Sequence, residues 1–589
     1  MCAIAGIISA QADLDFSKGQ VASMLRRMRH RGPDGSGLVV RPRCVMGSNR
    51  LAQIDAAGGG QPMCSPDGRW ILVFNGEIYN HRELRQALLG LWQFTSCSDT
   101  EVLLAALIIW GEAALPRLNG MFAFFLWDSR NHCGFAARDR LGVKPLVWTR
   151  SAGGMAFASE AKALLEVMPG RPTANVGAVL EYFVAPAFSG VETPLFANMH
   201  HLAPGSVLTI SDEGIKTRIW WSYDLRQAVD LREDWLAGEL HDAIPFAVTR
   251  SLDTDQPAAV FLSGGLDSTL VAACAVPKGV TCAYTIGFEG QSQFDYARSI
   301  MVKSDDQPFA VEAAGALGLE HRIVTVSRSS LADDLRVLAV QNDAIPAWEQ
   351  ELAQHYLARA AAKDYRAVLV GDAADETHYG YNFTLNSACG GQVTDFLTQL
   401  GRAPLARQME VEALRLTARY EALVAEAGLA GGSPVDRQRG IAHLLVQRWL
   451  PRLLHNGDIH TMAHSVEARV PFADTALLDL AVKVHPDLAT REGTGKSLLR
   501  RAARGLMPET ARLRRKSSLP KDDACAQIYQ REAGKALHAS EGLLGTWLNT
   551  SSLRSICAPA HVLTESERAL LFRVICFHHW AEVYQVQTP

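Results

Sequence analysis

The chain has 589 residues, of which 48% are hydrophobic and 20% charged, with a net charge of −4 and a pI of about 6.5. This composition predicts a globular protein of more than one domain. It argues against long disordered segments and against a basic surface for nucleic acid or an anionic membrane. The eleven cysteines include no Cys-x-x-Cys pair, so we expect reduced thiols in the cytoplasm and no zinc or redox motif. The longest apolar run, residues 102–110, is too short to cross a bilayer, and the first residues lack signal-peptide features.

Residues 1–205 alternate short apolar runs with turn signals. Strands are predicted over 70–74 and 121–127, and a helix is predicted after the capping-box sequence at 98–101. Asn75-Gly76 follows the first of these strands and fits a tight hairpin turn. This part is therefore predicted to be layered α and β structure with much antiparallel sheet.

From residue 235 onward, the predicted elements alternate between helix and strand. Alternation of this kind predicts a parallel sheet covered by helices on both faces. The turn-rich segment 206–234 is interpreted as a linker, and 395–589 as mostly helical. The predicted helices are 234–252, 266–275 and 309–317, and the predicted strands are 258–262, 281–288 and 321–326.

Cys2 becomes the first residue once the initiator methionine is removed. A thiol and a free α-amino group then share one residue, and the amine can serve as the general base for the thiol. Taken alone, a cysteine at this position is more often accidental than catalytic. The residues described next give it a context.

A glycine turn follows the predicted strand 258–262. Its sequence, Ser-Gly-Gly-Leu-Asp-Ser over 263–268, opens the next helix, and unpaired N–H groups at a helix start favour phosphate. Ser263 and Ser268 add hydroxyl donors, and the natural role of Asp267 is to hold Mg²⁺. The turn lacks the Gly-Lys-Ser/Thr ending of a Walker A loop and resembles the PP-loop of the ATP pyrophosphatases. A serine-capped strand-to-helix turn with no ligand is the alternative.

Motifs in both halves resemble one family, the glutamine-dependent asparagine synthetases of class B type. The resemblance implies an N-terminal αββα sandwich of the N-terminal nucleophile hydrolases over 1–205, which hydrolyses glutamine. It implies a C-terminal doubly wound parallel α/β sheet with added helices over 235–589, which adenylates a carboxylate with ATP and Mg²⁺. The matching stretches are 1–7, 29–35, 49–51, 61–63, 75–80, 98–99, 263–268, 371–376 and 465–472.

The resemblance also implies roles for residues in the first half. Cys2 would attack the side-chain amide of glutamine, and the Asn75 side chain and Gly76 N–H would stabilise the oxyanion. Glutamine would be bound by Arg50, Asn75, Glu77 and Asp99, with the Arg50 fork suited to a carboxylate. As isolated residues, Arg50 would be a surface ion pair and Asp99 a helix cap.

In the second half, the resemblance implies one nucleotide site. Asp267 and Asp375 would bind Mg²⁺, and Asp372 and Lys516 would be catalytic. Glu467 and Arg469 are interpreted as a structural ion pair. The residues expected to bind ATP are Leu262, Ser263, Gly264, Gly265, Asp267, Ser268, Gly371 and Lys496.

The chain departs from the family pattern at several positions. Ala3 and Val370 stand where the family usually has glycine and serine. In the loop 371–381, Ala373 and Ala374 replace small glycine or serine residues, and His378-Tyr379 precedes the final Gly-Tyr. These changes are expected to reshape the pocket for the carboxylate acceptor.

Three functions remain open from the sequence. The first is a glutamine-dependent amidotransferase with L-aspartate or a specialised natural-product carboxylate as acceptor. The second is an ATP-dependent ligase that forms an intramolecular amide, as β-lactam synthetases and peptide cyclases do, and the third is a non-enzymatic pseudoenzyme. The expected partners are small molecules, namely glutamine, ATP and the acceptor, with no nucleic acid or membrane. Because family members often dimerise, a homodimer is the candidate assembly.

Overall fold

The computed structural model describes residues 2–10, 13–151, 153–296, 302, 304–341, 345–381, 404–517, 522 and 524–588. Met1, Cys389 and residues 395–403 of the segment predicted to be helical lie outside this range. In the described part of the chain, no helix is both long and apolar enough to span a membrane.

The N-terminal half contains two six-stranded antiparallel sheets. The first has the strand order β10-β8-β9-β1-β3-β2 and the second the order β12-β11-β7-β6-β5-β4. Its elements are β1 (Cys2–Ser9), α1 (Leu14–Arg27), β2 (Gly35–Arg41), β3 (Cys44–Arg50), β4 (Met63–Cys64), β5 (Trp70–Ile78), α2 (His81–Ala87), α3 (Asp99–Trp110), β6 (Gly120–Asp128), β7 (Cys133–Arg138), β8 (Val147–Ser151), β9 (Gly154–Ala158), α4 (Ala161–Leu164), α5 (Val176–Val184), β10 (His200–His201), β11 (Ser206–Ser211) and β12 (Gly214–Ile219).

The two sheets stack face to face because their strands alternate apolar side chains between two layers. On β6, Phe125 points between the sheets, where its ring stacks on that of Phe157 in the first sheet at 4.6 Å between centroids. Its neighbour Phe124 points the other way, into a core shared with α3. Helix α1 covers the opposite face of the first sheet through Val21 and Leu25. The predicted αββα sandwich is confirmed.

The predicted linker needs a correction at its start. Residues 206–219 form β11 and β12, which pair with each other and with β7 at the edge of the second sheet. The alternating apolar residues of β11 are buried against that sheet, which is why the segment is part of the sandwich. We therefore propose that the boundary between the halves follows Ile219.

The C-terminal half is built on a five-stranded parallel sheet with the order β15-β14-β13-β16-β17. The strand order runs in opposite directions on the two sides of β13, so the predicted doubly wound sheet is confirmed. Its elements are α6 (Glu233–Ser251), β13 (Ala258–Phe261), α7 (Leu266–Ala275), β14 (Cys282–Phe288), α8 (Gln307–Leu317), β15 (Glu320–Val326), α9 (Leu331–Gln341), α10 (Leu352–Ala361), β16 (Ala367–Leu369), α11 (Ala374–Thr377), α12 (Glu410–Glu426), α13 (Pro434–Leu444), α14 (Leu450–Met462), β17 (Glu467–Arg469), α15 (Thr475–Ala481), α16 (Pro486–Ala489), α17 (Ser497–Ala502), α18 (Glu509–Leu513), α19 (Cys525–Ala539), α20 (Glu541–Gly545), α21 (Thr550–Ile556) and α22 (Glu565–Val583).

Helix α14 joins the two halves through buried charges. The Arg31 guanidinium donates to Glu160 at 3.0 Å and, across the interface, to Asp458 of α14 at 2.6 Å. Lys144 Nζ lies 3.4 Å from the second carboxylate oxygen of Asp458. All four side chains are buried, so separating the halves would expose charges that are paired here.

Candidate active sites

The first candidate site lies where β1, β3 and β5 meet. Cys2 is 3% exposed and stands opposite Arg50 in the β1–β3 register. Its backbone N–H donates to Asn75 Oδ1 at 3.1 Å. The Asn75 Nδ2 group is buried and has no hydrogen-bond partner among the described residues, so a donor on a side chain that contacts Cys2 is available to a ligand.

Asn75 and Gly76 lie inside β5 and pair with Ala123 and Phe122 of β6. The hairpin-turn alternative is therefore wrong. A Cβ atom at Gly76 would lie 2.1 Å from the Met121 carbonyl oxygen and 2.7 Å from Phe122 Cα. Glycine is required here because the backbone of β6 leaves no room for a side chain.

Burial raises the pKa of the Cys2 thiol, while the nearby amino terminus and the Arg50 guanidinium lower it; the net shift is upward. Gln61 Nε2 donates to Cys2 Sγ at 3.5 Å, and Gln61 Oε1 accepts from the Phe74 N–H at 2.8 Å. The thiol therefore rests in its protonated form. A base close to the sulfur is needed to activate it.

The side chains expected to bind glutamine surround this cysteine. Arg50 is anchored by three backbone carbonyls of its own loop, those of Ile54, Asp55 and Ala56. These bonds fix the orientation of the guanidinium plane, which has five N–H donors in total.

Two buried carboxylates lie nearby on β5 and α3. Asp99 accepts from the Ile78 N–H at 3.0 Å. Burial raises the pKa of Asp99 above its ordinary value. Burial, together with Asp99 and Glu467, raises the pKa of Glu77 well above its ordinary value. A pair of buried acids of this kind is well suited to receive a cationic group.

The second candidate site lies at the carboxyl ends of β13 and β16, where the strand order reverses. This is the position at which doubly wound sheets bind ligands. After β13, the Ser263 and Ser268 hydroxyls lie 2.9 Å apart, and the Gly265 N–H donates to Ser263 Oγ at 3.3 Å. Leu262 is fixed one residue earlier, where its N–H donates to the Tyr284 carbonyl at 2.9 Å.

Two glycines allow the loops to approach each other. Gly264 has a φ of +68°, and a Cβ atom there would lie 2.4 Å from the Ala310 nitrogen. Gly371 follows β16, and a Cβ atom on it would lie 2.8 Å from the Ser268 nitrogen. Both positions exclude a side chain, because backbone atoms block the space.

Two aspartates and two lysines form the centre of this site. Lys496 Nζ lies 2.5 Å from Asp267 Oδ2 and also contacts Asp375 Oδ1. Lys516 Nζ lies 2.5 Å from Asp375 Oδ2. Burial alone would raise the pKa of Asp375, but the two lysines outweigh it and hold that pKa below its ordinary value. Burial dominates for Asp267, so its pKa is raised.

The donor set fits a divalent cation. Asp267 Oδ1 is buried and accepts no hydrogen bond among the described residues. The Asp375 carboxylate contacts Lys496, which also contacts Asp267. Two carboxylates next to a phosphate-binding turn are the ligands that Mg²⁺ takes in nucleotide sites.

Asp372 lies near the same aspartates and Lys516. Its Oδ2 accepts from Gln354 Nε2 at 3.2 Å. A Cβ atom placed on Gly457 of α14 would be 3.8 Å from that oxygen. Burial raises the pKa of Asp372 to about 6, although Lys516 and Gln354 lower it.

Beyond Asp372, an acid and two aromatic rings form one wall. The Tyr381 hydroxyl donates to Glu376 Oε1 at 2.5 Å, and the Tyr381 and Trp449 rings lie 5.3 Å apart. Burial and the Asp375 charge raise the pKa of Glu376 to about 7. This wall can therefore present a neutral or an ionised carboxyl group near physiological pH.

The substituted loop keeps an unusual backbone. Ala373 has a φ of +75° and Tyr379 a φ of +57°, in the left-handed region that favours glycine. Both side chains are buried, and the Tyr379 hydroxyl has no hydrogen-bond partner among the described residues. Ala373 and Tyr379 are thus departures from the family pattern that place side chains on a backbone conformation that glycine prefers.

Sequence reasoning missed three groups that support these sites. Gln61 contacts the Cys2 thiol, and Gln354 contacts Asp372. Arg514 donates to the Ser263 carbonyl at 2.9 Å and pairs with the buried Asp306. A sequence signal was available for two of them. Gln61 lies in the matched stretch 61–63, and Arg514 lies in the basic run Arg-Leu-Arg-Arg-Lys over 512–516. Gln354 lies on α10, where the sequence carries no motif.

Both halves of the chain match known protein domains. A glutamine amidotransferase domain matches residues 1–221 and an asparagine synthase domain matches residues 239–582. Asparagine synthetase [glutamine-hydrolyzing] 3 of Bacillus subtilis is 31% identical over 536 residues, covering 88% of this chain and 87% of its own. The chain belongs to the family of glutamine-hydrolysing asparagine synthetases. It is therefore an asparagine synthetase-type, glutamine-dependent amidotransferase, a carbon–nitrogen ligase of a family that uses ATP.

The chain also has more distant similarities. Asparagine synthetase B of Escherichia coli is 27% identical over 530 residues, covering 88% of this chain and 81% of its own. Among solved structures, the glutamine phosphoribosylpyrophosphate amidotransferase of B. subtilis covers 63% of this chain and 82% of its own at 15% identity. Its TM-score of 0.28 is too low to establish a shared fold.

Proposed function

We propose that this asparagine synthetase-type enzyme hydrolyses glutamine at Cys2 and uses the ammonia to amidate a carboxylate that ATP has adenylated. The observation that carries the proposal is the buried Asn75 Nδ2 donor next to Cys2, which has no hydrogen-bond partner among the described residues. With the Gly76 N–H, it would stabilise the oxyanion formed when sulfur attacks the glutamine amide. The α-amine of Cys2, exposed by removal of Met1, would accept the thiol proton and later give it to the departing ammonia.

Glutamine would be held by charges on both of its ends. Arg50 would bind the α-carboxylate, since a guanidinium held in one plane suits a carboxylate. Glu77 and Asp99 would receive the α-ammonium group, which supplies positive charge to a buried acidic pocket. Asn75 would contact the reacting amide.

A continuous run of contacts leads from the first site towards the second. The Arg31 Nε group lies 3.4 Å from the Cys2 carbonyl oxygen, and Arg31 also binds Asp458 of α14. The neighbouring Gly457 faces Asp372. These buried contacts join the elements that carry the two sites, and we propose that ammonia passes between the halves near them.

At the second site, the turn over 263–268 with Leu262 and Gly371 would bind the ATP phosphates. Asp267 and Asp375 would hold Mg²⁺, which would neutralise charge on the phosphates. Lys496 and Lys516 would then be released from the aspartates to the phosphate oxygens and stabilise the departing pyrophosphate. Asp372 would accept a proton from ammonia as it attacks the adenylated carboxylate.

The acceptor carboxylate has two candidates. L-Aspartate is the first, because the relatives are named asparagine synthetases. A specialised carboxylate is the second, and the observation that favours it is the altered 371–381 loop with its Tyr381–Trp449 wall. An aromatic pair at the acceptor side suits a substrate with more apolar surface than aspartate.

The proposal is tested by measuring AMP and pyrophosphate release with glutamine and ATP·Mg²⁺, with and without L-aspartate, and by identifying products by mass. Asparagine formation would make aspartate the acceptor. Glutamine hydrolysis without aspartate-dependent AMP release would favour the specialised carboxylate. The absence of both glutamine hydrolysis and AMP release would contradict the proposal.

A further inference from the structure

The ion pair of Glu467 and Arg469 reaches the glutamine pocket of the other half. Arg469 Nη2 lies 3.6 Å from Glu467 Oε2 on its own strand, β17, and 3.8 Å from Glu77 Oε1 on β5. The guanidinium is completely buried. The interpretation of this pair as purely structural therefore leaves out a contact with one of the expected glutamine ligands.

The guanidinium is held in place from a third side. Arg469 Nη1 donates to the Ser251 carbonyl at 3.0 Å and to the Asp253 carbonyl at 3.1 Å. These bonds come from the end of α6, so the arginine is fixed by the C-terminal half alone. It then presents its second nitrogen, Nη2, to Glu77 across the interface.

Three buried carboxylates meet around the expected ammonium site. They are Glu77, Asp99 and Glu467, and among the charges that act on Glu77, those of Arg469 and the amino terminus lower its pKa. Glutamine would bring an α-ammonium group to these carboxylates. A carboxylate must be ionised and correctly oriented to bind it.

We propose that Arg469 is a positioning residue of the glutamine site, supplied by the synthetase half, which holds the Glu77 carboxylate ready for the α-ammonium group of glutamine. The inference rests on the proposed binding of glutamine at Glu77. It adds that the glutaminase pocket is complete only when the two halves are docked. The Arg469 carbonyl also accepts from the Val370 N–H at 3.0 Å, so the same residue is one hydrogen bond from the loop that carries Asp372.

The charges around Glu77 indicate how Arg469 would act. Burial raises the pKa of Glu77, Asp99 and Glu467 raise it further, and Arg469 is the first of the groups that oppose the rise. Without Arg469, Glu77 would hold its proton to higher pH and lose the ammonium contact. The titratable and charged groups that face Glu77 from the packed elements are Asp99 on α3, Glu467 and Arg469 on β17, Cys2 on β1, Tyr79 just after β5, and the amino terminus.

The test measures recognition of the ammonium group directly. Binding of L-glutamine and of 5-amino-5-oxopentanoate, which is glutamine without its α-amino group, is measured by calorimetry in full-length Cys2→Ala protein. The ratio of the two dissociation constants reports the ammonium contact. In Arg469→Met we expect this preference to fall about tenfold or more while the analogue binds within about threefold, since a charge-assisted hydrogen bond is lost. The preference should recover as pH rises, because Glu77 then ionises.

A matched control and a second variant separate positioning from folding. Arg452 is another buried arginine across the interface, where it binds Glu351 and the Ser189 carbonyl, and Arg452→Met should leave the preference unchanged. If Arg469→Met does not fold, Arg469→Lys keeps the charge but cannot reach both carboxylates and both carbonyls, and should lower the preference about threefold.

The inference is overturned if the preference is unmoved in the folded Arg469 variants, or if Arg452→Met lowers it equally. If the unsubstituted enzyme hydrolyses glutamine normally and the preference is unchanged in the Arg469 variants, only the inference about Arg469 is overturned. No hydrolysis and no glutamine binding by any form would overturn the proposed glutaminase, and the inference with it.

Discussion

Replacing Asp372 by asparagine should stabilise the protein while stopping amide formation. Burial raises the pKa of Asp372 from its ordinary value of 3.8 to about 6. The folded state therefore prefers the protonated acid, and keeping it ionised at pH 8 costs about 3 kcal/mol relative to the unfolded chain. Asparagine resembles the protonated form and can still accept from Gln354, so it removes that cost.

The sign of the effect fixes its pH dependence. Below pH 3.8 the carboxyl group is protonated in both states, and the substitution should be neutral. As pH rises through 3.8 towards 6, only the unfolded chain loses the proton, and the wild-type protein progressively loses stability relative to Asp372→Asn. Above pH 6 the difference should be constant. A gain of about 3 kcal/mol corresponds to an increase in Tm on the order of 3–6 °C in a domain of this size.

The assay is thermal unfolding of both proteins without nucleotide between pH 4.5 and 8, together with ammonia-dependent AMP release. Asp375→Asn is the matched control with the opposite sign, because Lys496 and Lys516 hold the pKa of Asp375 down and the substitution removes buried ion pairs. An Asp372→Asn protein that is equal to or less stable than wild type at pH 8 would refute the reasoning.

Three further predictions concern single groups in the two sites. Asp267→Asn should reduce ATP-dependent pyrophosphate release at least about a hundredfold and spare glutamine hydrolysis; retained ATP turnover would show that Asp267 is not a metal ligand. Gly76→Ala should abolish glutamine hydrolysis and destabilise the sandwich by about 1–3 kcal/mol, since its Cβ would meet the Met121 carbonyl oxygen; a stable, active variant would contradict the packing described. Ala373→Gly should raise stability by up to about 1 kcal/mol in denaturant unfolding, because it relieves a left-handed alanine, whereas Tyr379→Gly should lower it despite the same relief, because a buried ring is lost.

Three of the five strands of the C-terminal sheet, β13, β14 and β15, could be predicted because each carries a local signal, whereas the three-residue strands β16 and β17 were not predicted. The strand over 258–262 and the helix over 266–275 match β13 and α7 closely, since an apolar run, two glycines and a helical period fix their limits. The same local reading was wrong at Asn75-Gly76. That pair continues a strand because β6 pairs with it across the sheet, and sequence spacing does not reveal such a long-range partner.

The residues expected in each site carry motifs, whereas the contacts that connect the sites do not. The motifs pointed to Cys2, Asp267 and Asp375 because their chemistry is specific, and the roles of these residues stay predictions. Gln354 and the link between Arg469 and Glu77 depend on how α10 and β17 pack against other elements. Arg469 and Glu77 are hundreds of residues apart, and Gln354 and Asp372 lie 18 residues apart on different elements. Neither spacing leaves a periodic signal in one chain, so both contacts needed the structure.

We propose that one chain holds two separable sites joined by ammonia transfer. It is tested most directly by measuring AMP release by wild-type and Cys2→Ala protein, each supplied with either glutamine or ammonium ions, with a productive acceptor. We predict that Cys2→Ala loses glutamine-dependent release and keeps ammonia-dependent release near the wild-type rate. Loss of both activities, or retention of the glutamine-dependent one, would contradict the division of the enzyme into these two sites.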